Sequence, residues 1–146
     1  MLVGTFGHLL DRLQSVLNGA ARLVFESRRS DHITPLLREL HWLKIRERIQ
    51  FRLCVLILLC LNGTVPRYLT DGLHRTTEVA DRRCLRSADT TTLTVLATHR
   101  SSMGDRAFPV AASRSWNALP AHIRSSSSLP TFRRELKMWL FQSSFN

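Results

Sequence analysis

The sequence contains few cysteines and no long apolar run, and each shortage excludes a class of protein. Its three cysteines are odd in number and no two form a Cys-x-x-Cys pair, so neither a disulfide framework nor a zinc knuckle is expected. The longest uncharged apolar stretch, residues 53–61, is about half of the ~20 residues that a membrane-spanning helix needs. The first ten residues lack the basic start of a secretory signal. We therefore expect an intracellular protein of the nucleus or cytoplasm, not secreted and without a membrane partner.

The acidic residues are too scattered to form a catalytic metal site. The eleven aspartates and glutamates include no adjacent pair, no Asp-x-Asp and no Glu-x-Glu, whereas polymerases and nucleases cluster carboxylates around divalent metals. The six glycines form no phosphate-binding loop, and no sequence context marks any of the six histidines as a general base. We predict that the chain is not an enzyme and has no catalytic residue, no metal ligand, no cofactor and no small-molecule substrate.

Basic residues are abundant, and nearly all of them are arginine. The formal net charge is +10, and Lys44 and Lys137 are the only lysines among the 21 basic residues. Such a charge attracts polyanions, of which nucleic acid is the commonest. Arginine suits that partner because its planar guanidinium binds phosphate through paired hydrogen bonds and stacks on bases. We predict RNA or DNA as the partner; the alternative is codon bias in a GC-rich genome.

Apolar residues that recur every three or four positions predict a mostly α-helical chain. An amphipathic helix is expected over 5–25, followed by a helical core over 35–62. In that core, Thr34 and Pro35 are expected to start a short helix, and a long helix follows over 44–61. Residues 53–61 are apolar all round, which predicts a central helix surrounded by protein. Asn62 and Gly63 are typical of a helix end.

The second half of the chain is predicted to be an irregular segment followed by further helices. Residues 75–102, rich in threonine and arginine, favour a loop that could hold a short β-hairpin, with 93–96 paired to 84–86. Helices are expected again over 104–142, where the serines 125–128 form a linker that can cap the last helix. The fold class predicted is therefore all-α. It is one domain, 1–146, a small bundle of amphipathic helices around a buried central helix.

The candidates for nucleic-acid binding are the basic residues that stand in clusters. Residues four apart share one helix face, so neighbouring positive groups there can follow a row of phosphates. The alternative for each residue is a solvated helix face. The candidates are Arg28, Arg29, Arg46, Arg48, Arg52, Arg82, Arg83, Arg133, Arg134 and Lys137. The three tryptophans, Trp42, Trp116 and Trp139, could stack on bases, but their positions favour core packing.

A series of short motifs also occurs in a fixed order along the chain. The first half contains LQSVLNGAARLV (13–24), HITP (32–35), LHWL (40–43), RERI (46–49), LNG (61–63) and PRYL (66–69). The second half contains GDRAF (104–108), AA (111–112), WNALP (116–120), IR (123–124) and a final helix over 132–141. Together, over nearly everything from residue 13 onward, they resemble the thumb and post-thumb region of LINE-type (non-LTR, jockey-like) retrotransposon reverse transcriptases.

The resemblance implies a function for the chain and a set of signature positions. An intact relative nicks target DNA and copies its own RNA there, with catalytic residues that would lie upstream. This segment would then be a non-catalytic fragment of a larger polyprotein that holds template, primer or target. The upstream polymerase domain is a further candidate partner. The signature positions, interpreted first as fold-defining through a turn at 105–106 that caps a helix above Trp116, are Gly104, Asp105, Arg106, Phe108, Trp116 and Asn117.

The chain also departs from that family's pattern at three positions. Lys44 and Ser113 stand where the family commonly has proline, and Ser115 replaces a large apolar residue. These departures suit a diverged copy of the element. Two alternatives therefore stay open: a helical protein-interaction module, or a functionless product of a truncated element.

Overall fold

The fold is a bundle of α-helices. The computed structural model describes residues 7–78, 91–97 and 107–145. In these ranges the α-helices are α1 Gly7–Val24, α2 Ile33–Glu39, α3 Ile45–Leu61, α4 Arg67–Thr70, α5 Phe108–Asn117, α6 Ala121–Arg124 and α7 Leu129–Phe145. The predicted all-α fold class is confirmed. None of the described helices is long and apolar enough to cross a bilayer.

Helix α3 lies at the centre of the bundle, as its all-round apolar second half predicted. It contacts α1, α4, α5 and α7 and buries Leu53, Cys54 and Ile57 almost completely. The start of α3 lies beside the end of α7, because the Lys44 ammonium donates a hydrogen bond to the Ser144 carbonyl. Helix α3 also packs along α7 and against α5.

Buried side chains form two separate clusters. The larger one joins α3, α5, α6 and α7, and at its centre the rings of Trp116 and Phe132 stack with centroids 5.8 Å apart. The smaller one joins α1 and α2 through Leu17, Ala21 and Leu37, with Phe145 packed against it from the end of α7. The chain is therefore held together by one large core and one small core.

Helix α1 is covered on only part of its apolar face. The periodicity predicted this helix, and the described part of it spans Gly7–Val24. Leu17 and Ala21 are buried, but Val16 is 72% exposed and Leu23 is 82% exposed. A wide apolar stripe of α1 therefore faces outward.

Helices α1, α2 and α3 end in the same backbone motif. In each, the second residue after the helix has positive φ, and the next amide donates back to a carbonyl of the last turn. The three positive-φ residues are Glu26, His41 and Gly63, at φ 50, 51 and 69°. The predicted end at Asn62 and Gly63 is confirmed, whereas the other two ends use residues for which this geometry is strained.

Replacing Glu26 with glycine is expected to raise the free energy of unfolding by about 0.5–1 kcal/mol, because glycine adopts positive φ without a Cβ clash. Urea denaturation followed by circular dichroism measures the change. Glu26→Ala removes the same charge but keeps the Cβ, so it should give no such gain. Gly63→Ala should lower the free energy of unfolding by about 1 kcal/mol. An equal gain from glycine and alanine at position 26 would refute the backbone explanation.

Several predicted boundaries were wrong, for physical reasons. Helix α2 begins at Ile33, and its N-cap is His32 without a side-chain bond, so Thr34 is not the cap. Pro35 is the third residue of that helix, where an amide has no partner within the helix and its loss costs little. Helix α7 continues to Phe145, beyond the predicted residue 142.

The serine linker and the irregular segment can also be compared with their predictions. The Ser128 hydroxyl accepts a hydrogen bond from the Thr131 amide at 3.3 Å, so the predicted cap of α7 is confirmed. Leu93 forms an isolated antiparallel bridge with Arg75. Within the described ranges no strand surrounds that bridge, and the other half of the predicted hairpin, 84–86, lies outside them.

Candidate nucleic-acid interface

The outer face of α7 presents three of the predicted basic residues to solvent. Phe132 and Leu136 fall on the inner face and are fully buried. Because the intervening positions point the other way around the helix, Arg133, Arg134 and Lys137 are all exposed. Arg133 and Lys137 are one helical turn apart, as predicted. This set is called the α7 basic row below.

The α7 basic row lies on a helix that is fixed at both ends. At the beginning, the Phe132 ring stacks on Trp116. At the end, the Arg38 guanidinium and the Lys44 ammonium donate to the carbonyls of Phe145 and Ser144. Their charged groups also lie 5.5 and 5.1 Å from the centroid of the Phe145 ring. Cations at the negative end of a helix dipole stabilise it, so the row is carried by a well-anchored element.

Helix α3 does not present its three candidate arginines as one cluster. Each residue turns an α-helix by about 100°, so Arg48 and Arg52 are about 40° apart around the axis. Arg46 and Arg48 differ by about 160° and lie on nearly opposite sides. Arg46 and Arg52 are exposed, while the half-buried Arg48 lies 5.9 Å from the centroid of the Trp42 ring. Arg48 is therefore engaged in a cation–π contact within the protein.

The loop between α1 and α2 carries Arg28 and Arg29, both exposed. Asp31 shapes this loop, since its carboxylate accepts a hydrogen bond from the Arg28 amide at 2.8 Å. Arg29 lines an open groove of about 520 Å³ together with Arg22 at the end of α1. The Arg22 guanidinium donates to the Asp31 carbonyl at 3.4 Å, which brings a further basic group to the loop.

In the part of the chain that the structure describes, the candidate basic residues have no carboxylate within ion-pair distance. No ion pair is formed there by the side chains of Arg28, Arg29, Arg46, Arg48, Arg52, Arg133, Arg134 or Lys137. Arg82 and Arg83 lie outside the described residues, as do Gly104, Asp105 and Arg106 of the signature. The predicted turn at 105–106 falls there too, and the N-cap residue of α5 is Ala107, which makes no side-chain cap bond.

The remaining signature residues hold the protein together locally. Trp116 is 1% exposed, and its indole N–H donates to the Thr91 carbonyl at 2.8 Å. The Asn117 amide accepts from the Leu93 amide at 2.9 Å and donates to the Leu93 carbonyl at 2.8 Å. Phe108 packs against the large core. Trp116 and Asn117 thus fasten the extended segment 91–97 to the end of α5.

The structure also places together two arginines that the sequence did not single out as a site. Arg75 and Arg124 are far apart in the sequence, yet both line one cavity at the end of α3. Neither belongs to a run of basic residues, so clustering of charge along the sequence does not reveal them. Arg38 and Lys44 were missed for a similar reason, because a cation that caps a helix from another element leaves no local signal.

The buried thiols are poorly suited to chemistry. Desolvation by burial raises the pKa of Cys54 to about 12. Burial also raises the pKa of Cys60, partly offset by a backbone hydrogen bond. Both are therefore protonated near neutral pH and behave as small apolar side chains. Among the described residues, no group of three or more His, Cys, Asp or Glu side chains lies close enough to hold a metal ion.

Comparisons with protein-family models, with curated proteins and with solved structures find no match to this chain.

Proposed function

We propose that this chain is a non-catalytic nucleic-acid-binding segment, similar to the thumb and post-thumb region of a LINE-type reverse transcriptase. Its role is to assist RNA and DNA binding in target-primed reverse transcription, beside an upstream polymerase domain. The observation that carries the proposal is the α7 basic row, which is exposed, free of ion pairs within the described residues and fixed at both helix ends. The ordered sequence motifs support the choice of family.

Binding in this proposal is mainly electrostatic and weakly sequence-selective. Guanidinium groups of the row contact phosphate oxygens, and each contact releases a counterion from the nucleic acid. The net charge of +10 adds a long-range attraction that speeds encounter. Affinity should therefore fall steeply as salt concentration rises, with little dependence on base sequence.

Titration of single-stranded RNA at increasing salt tests this proposal. For single strands, the slope of log affinity against log salt is about −0.7 per phosphate contact. Arg133→Gln with Arg134→Gln should therefore make the slope shallower by about 1.4. The matched control is Arg12→Gln with Arg67→Gln, which removes two exposed charges elsewhere and should change the slope little. An RNA affinity that does not change with salt concentration would contradict binding by this row. So would equal effects of the two double variants on the salt slope.

The outer face of α1 favours a second function, a protein-interaction module. Its exposed Val16 and Leu23 form part of an apolar stripe that a partner protein could cover. The same titration tests whether this face of α1 takes part in RNA binding. Val16→Gln with Leu23→Gln should leave RNA affinity unchanged if the α7 basic row binds RNA. A loss of RNA affinity in that variant alone would place the RNA-binding surface on α1 and contradict binding by the row.

A further inference from the structure

A small cavity opens where the C-terminal end of α3 meets the chain around α6. It has a volume of about 190 Å³, and its apolar wall contains Leu58, Leu61 and Trp116. Its polar wall consists of Asn62, Arg75, Thr91, Arg124, Ser125 and Ser126. The described residues that line the cavity thus include two guanidinium groups and no carboxylate.

Arg124 is the residue whose hydrogen bonding is incomplete. Its Nε and Nη1 atoms are buried from solvent and have no hydrogen-bond partner. Together these atoms carry three N–H donors. A buried donor without an acceptor is costly, and a charged one more so, so native proteins usually satisfy such groups with water or a ligand. Arg124 also lines the cavity, so an anion bound there would meet its guanidinium group.

We propose that this cavity binds a phosphate group, as a free phosphate or as the terminal phosphate of a nucleic acid, with Arg124 as the principal contact. Arg75 supplies a second positive charge at the wall. Phosphate suits the pair because arginine donors match its oxygens in geometry and charge. Phosphate binding in the cavity does not require nucleic-acid binding by the α7 basic row, since the two sites share no residue.

The size and rigidity of the cavity limit what can enter. Its volume is below the roughly 300–1,000 Å³ of pockets for larger ligands, so it accommodates a phosphate group but not a whole nucleotide. Its Thr91 wall is held by the bond from the Trp116 indole. A preformed site loses little conformational entropy when it binds.

One carboxylate lies near the rim. Glu135 is 2.7 Å from the Ser126 hydroxyl, which is also 2.7 Å from the Ile123 carbonyl and donates its single proton to one of them at a time. Glu135 does not line the cavity. Its charge weakens anion binding somewhat, and Glu135→Gln should therefore tighten phosphate binding rather than abolish it.

The test is titration of the folded chain with inorganic phosphate at constant ionic strength, followed by the ¹H–¹⁵N signals of the tryptophan indoles. Trp116 lines the cavity, whereas Trp42 and Trp139 do not, so they are internal controls. The Trp116 signal should shift and saturate while the other two stay in place. Arg124→Gln should weaken phosphate binding at least tenfold, and Arg12→Gln, an equal change of charge at an exposed position outside the cavity and the α7 basic row, should leave it unchanged.

Two further arms identify the source of the phosphate and guard against misfolding. A short oligonucleotide with a 5′ phosphate that binds more tightly than its hydroxyl-ended twin, in wild type but not in Arg124→Gln, indicates a nucleic-acid end. Equal binding of the twins, with a saturable Trp116 shift by inorganic phosphate, indicates a free phosphate compound. Arg124→Lys keeps the charge and checks that the fold is intact. Non-saturating shifts of all three indoles, or equal losses of phosphate binding in Arg124→Gln and Arg12→Gln, would overturn the proposal.

Discussion

Replacing Asn117 with alanine is expected to lower the free energy of unfolding by about 2–3 kcal/mol. The change removes both hydrogen bonds to the Leu93 backbone and leaves an amide and a carbonyl without partners in a partly buried place. Leu93 itself is 2% exposed and belongs to the large core. The loss should therefore be greater than for removal of a surface amide. Urea denaturation followed by circular dichroism measures it.

Two variants establish that the bonds, and not the side-chain volume, cause this loss. Asn117→Asp keeps an acceptor for the Leu93 amide but places a second oxygen against the Leu93 carbonyl, so it should not rescue stability. Gln142→Ala removes an exposed amide from α7 and should change stability by less than about 0.5 kcal/mol. Wild-type stability in Asn117→Ala would show that segment 91–97 is not fastened by this residue.

Phe132→Ala is expected to have the largest effect on stability, a loss of about 3–5 kcal/mol. The Phe132 ring is fully buried and stacks on Trp116, so its removal leaves a cavity at the centre of the large core. It would also free the first turns of α7 and with them the α7 basic row. RNA affinity should fall in parallel, although no charge has been removed.

The control for this prediction lies on the same helix. Met138 is 57% exposed, and Met138→Ala should alter unfolding by less than about 0.5 kcal/mol. Phe132→Leu restores part of the volume and should recover part of the loss. A Phe132→Ala protein as stable as Met138→Ala would mean that the large core does not depend on the stacked pair.

Helix periodicity predicted the elements of the fold but not the way in which they meet. The apolar second half of α3 indicated a central helix, because side chains on every side of it must be covered. The stripe of α1 looked equally apolar, yet only the part around Leu17 and Ala21 is covered. Periodicity identifies an apolar face and contains no information on the width of the partner. The start of α2 was mispredicted because Thr34 and Pro35 fit two helix registers.

The candidate sites differ in the same way: some lie on one helix, and others are formed by residues from separate segments. Arg133 and Lys137 could be placed on one face from their spacing alone, since both lie on one continuous helix. Arg75 and Arg124 could not, because the folding of intervening residues brings them to one cavity. Trp116 and Asn117 were expected to define the fold, but the positions of their hydrogen-bond partners, Thr91 and Leu93, follow no periodic rule. Sites made by one helix are readable from sequence, and sites made between segments are not.

The division of buried side chains into two clusters has a consequence for local unfolding of the protein. The small cluster contains few side chains, and the exposed Val16 and Leu23 of α1 lie outside it. Regions with little buried contact open locally at a fraction of the global free energy. Helices α1 and α2 should therefore open transiently at the small cluster while the large core stays folded. Their amides should exchange with solvent first, and a protease should cut in their loop before it reaches α3.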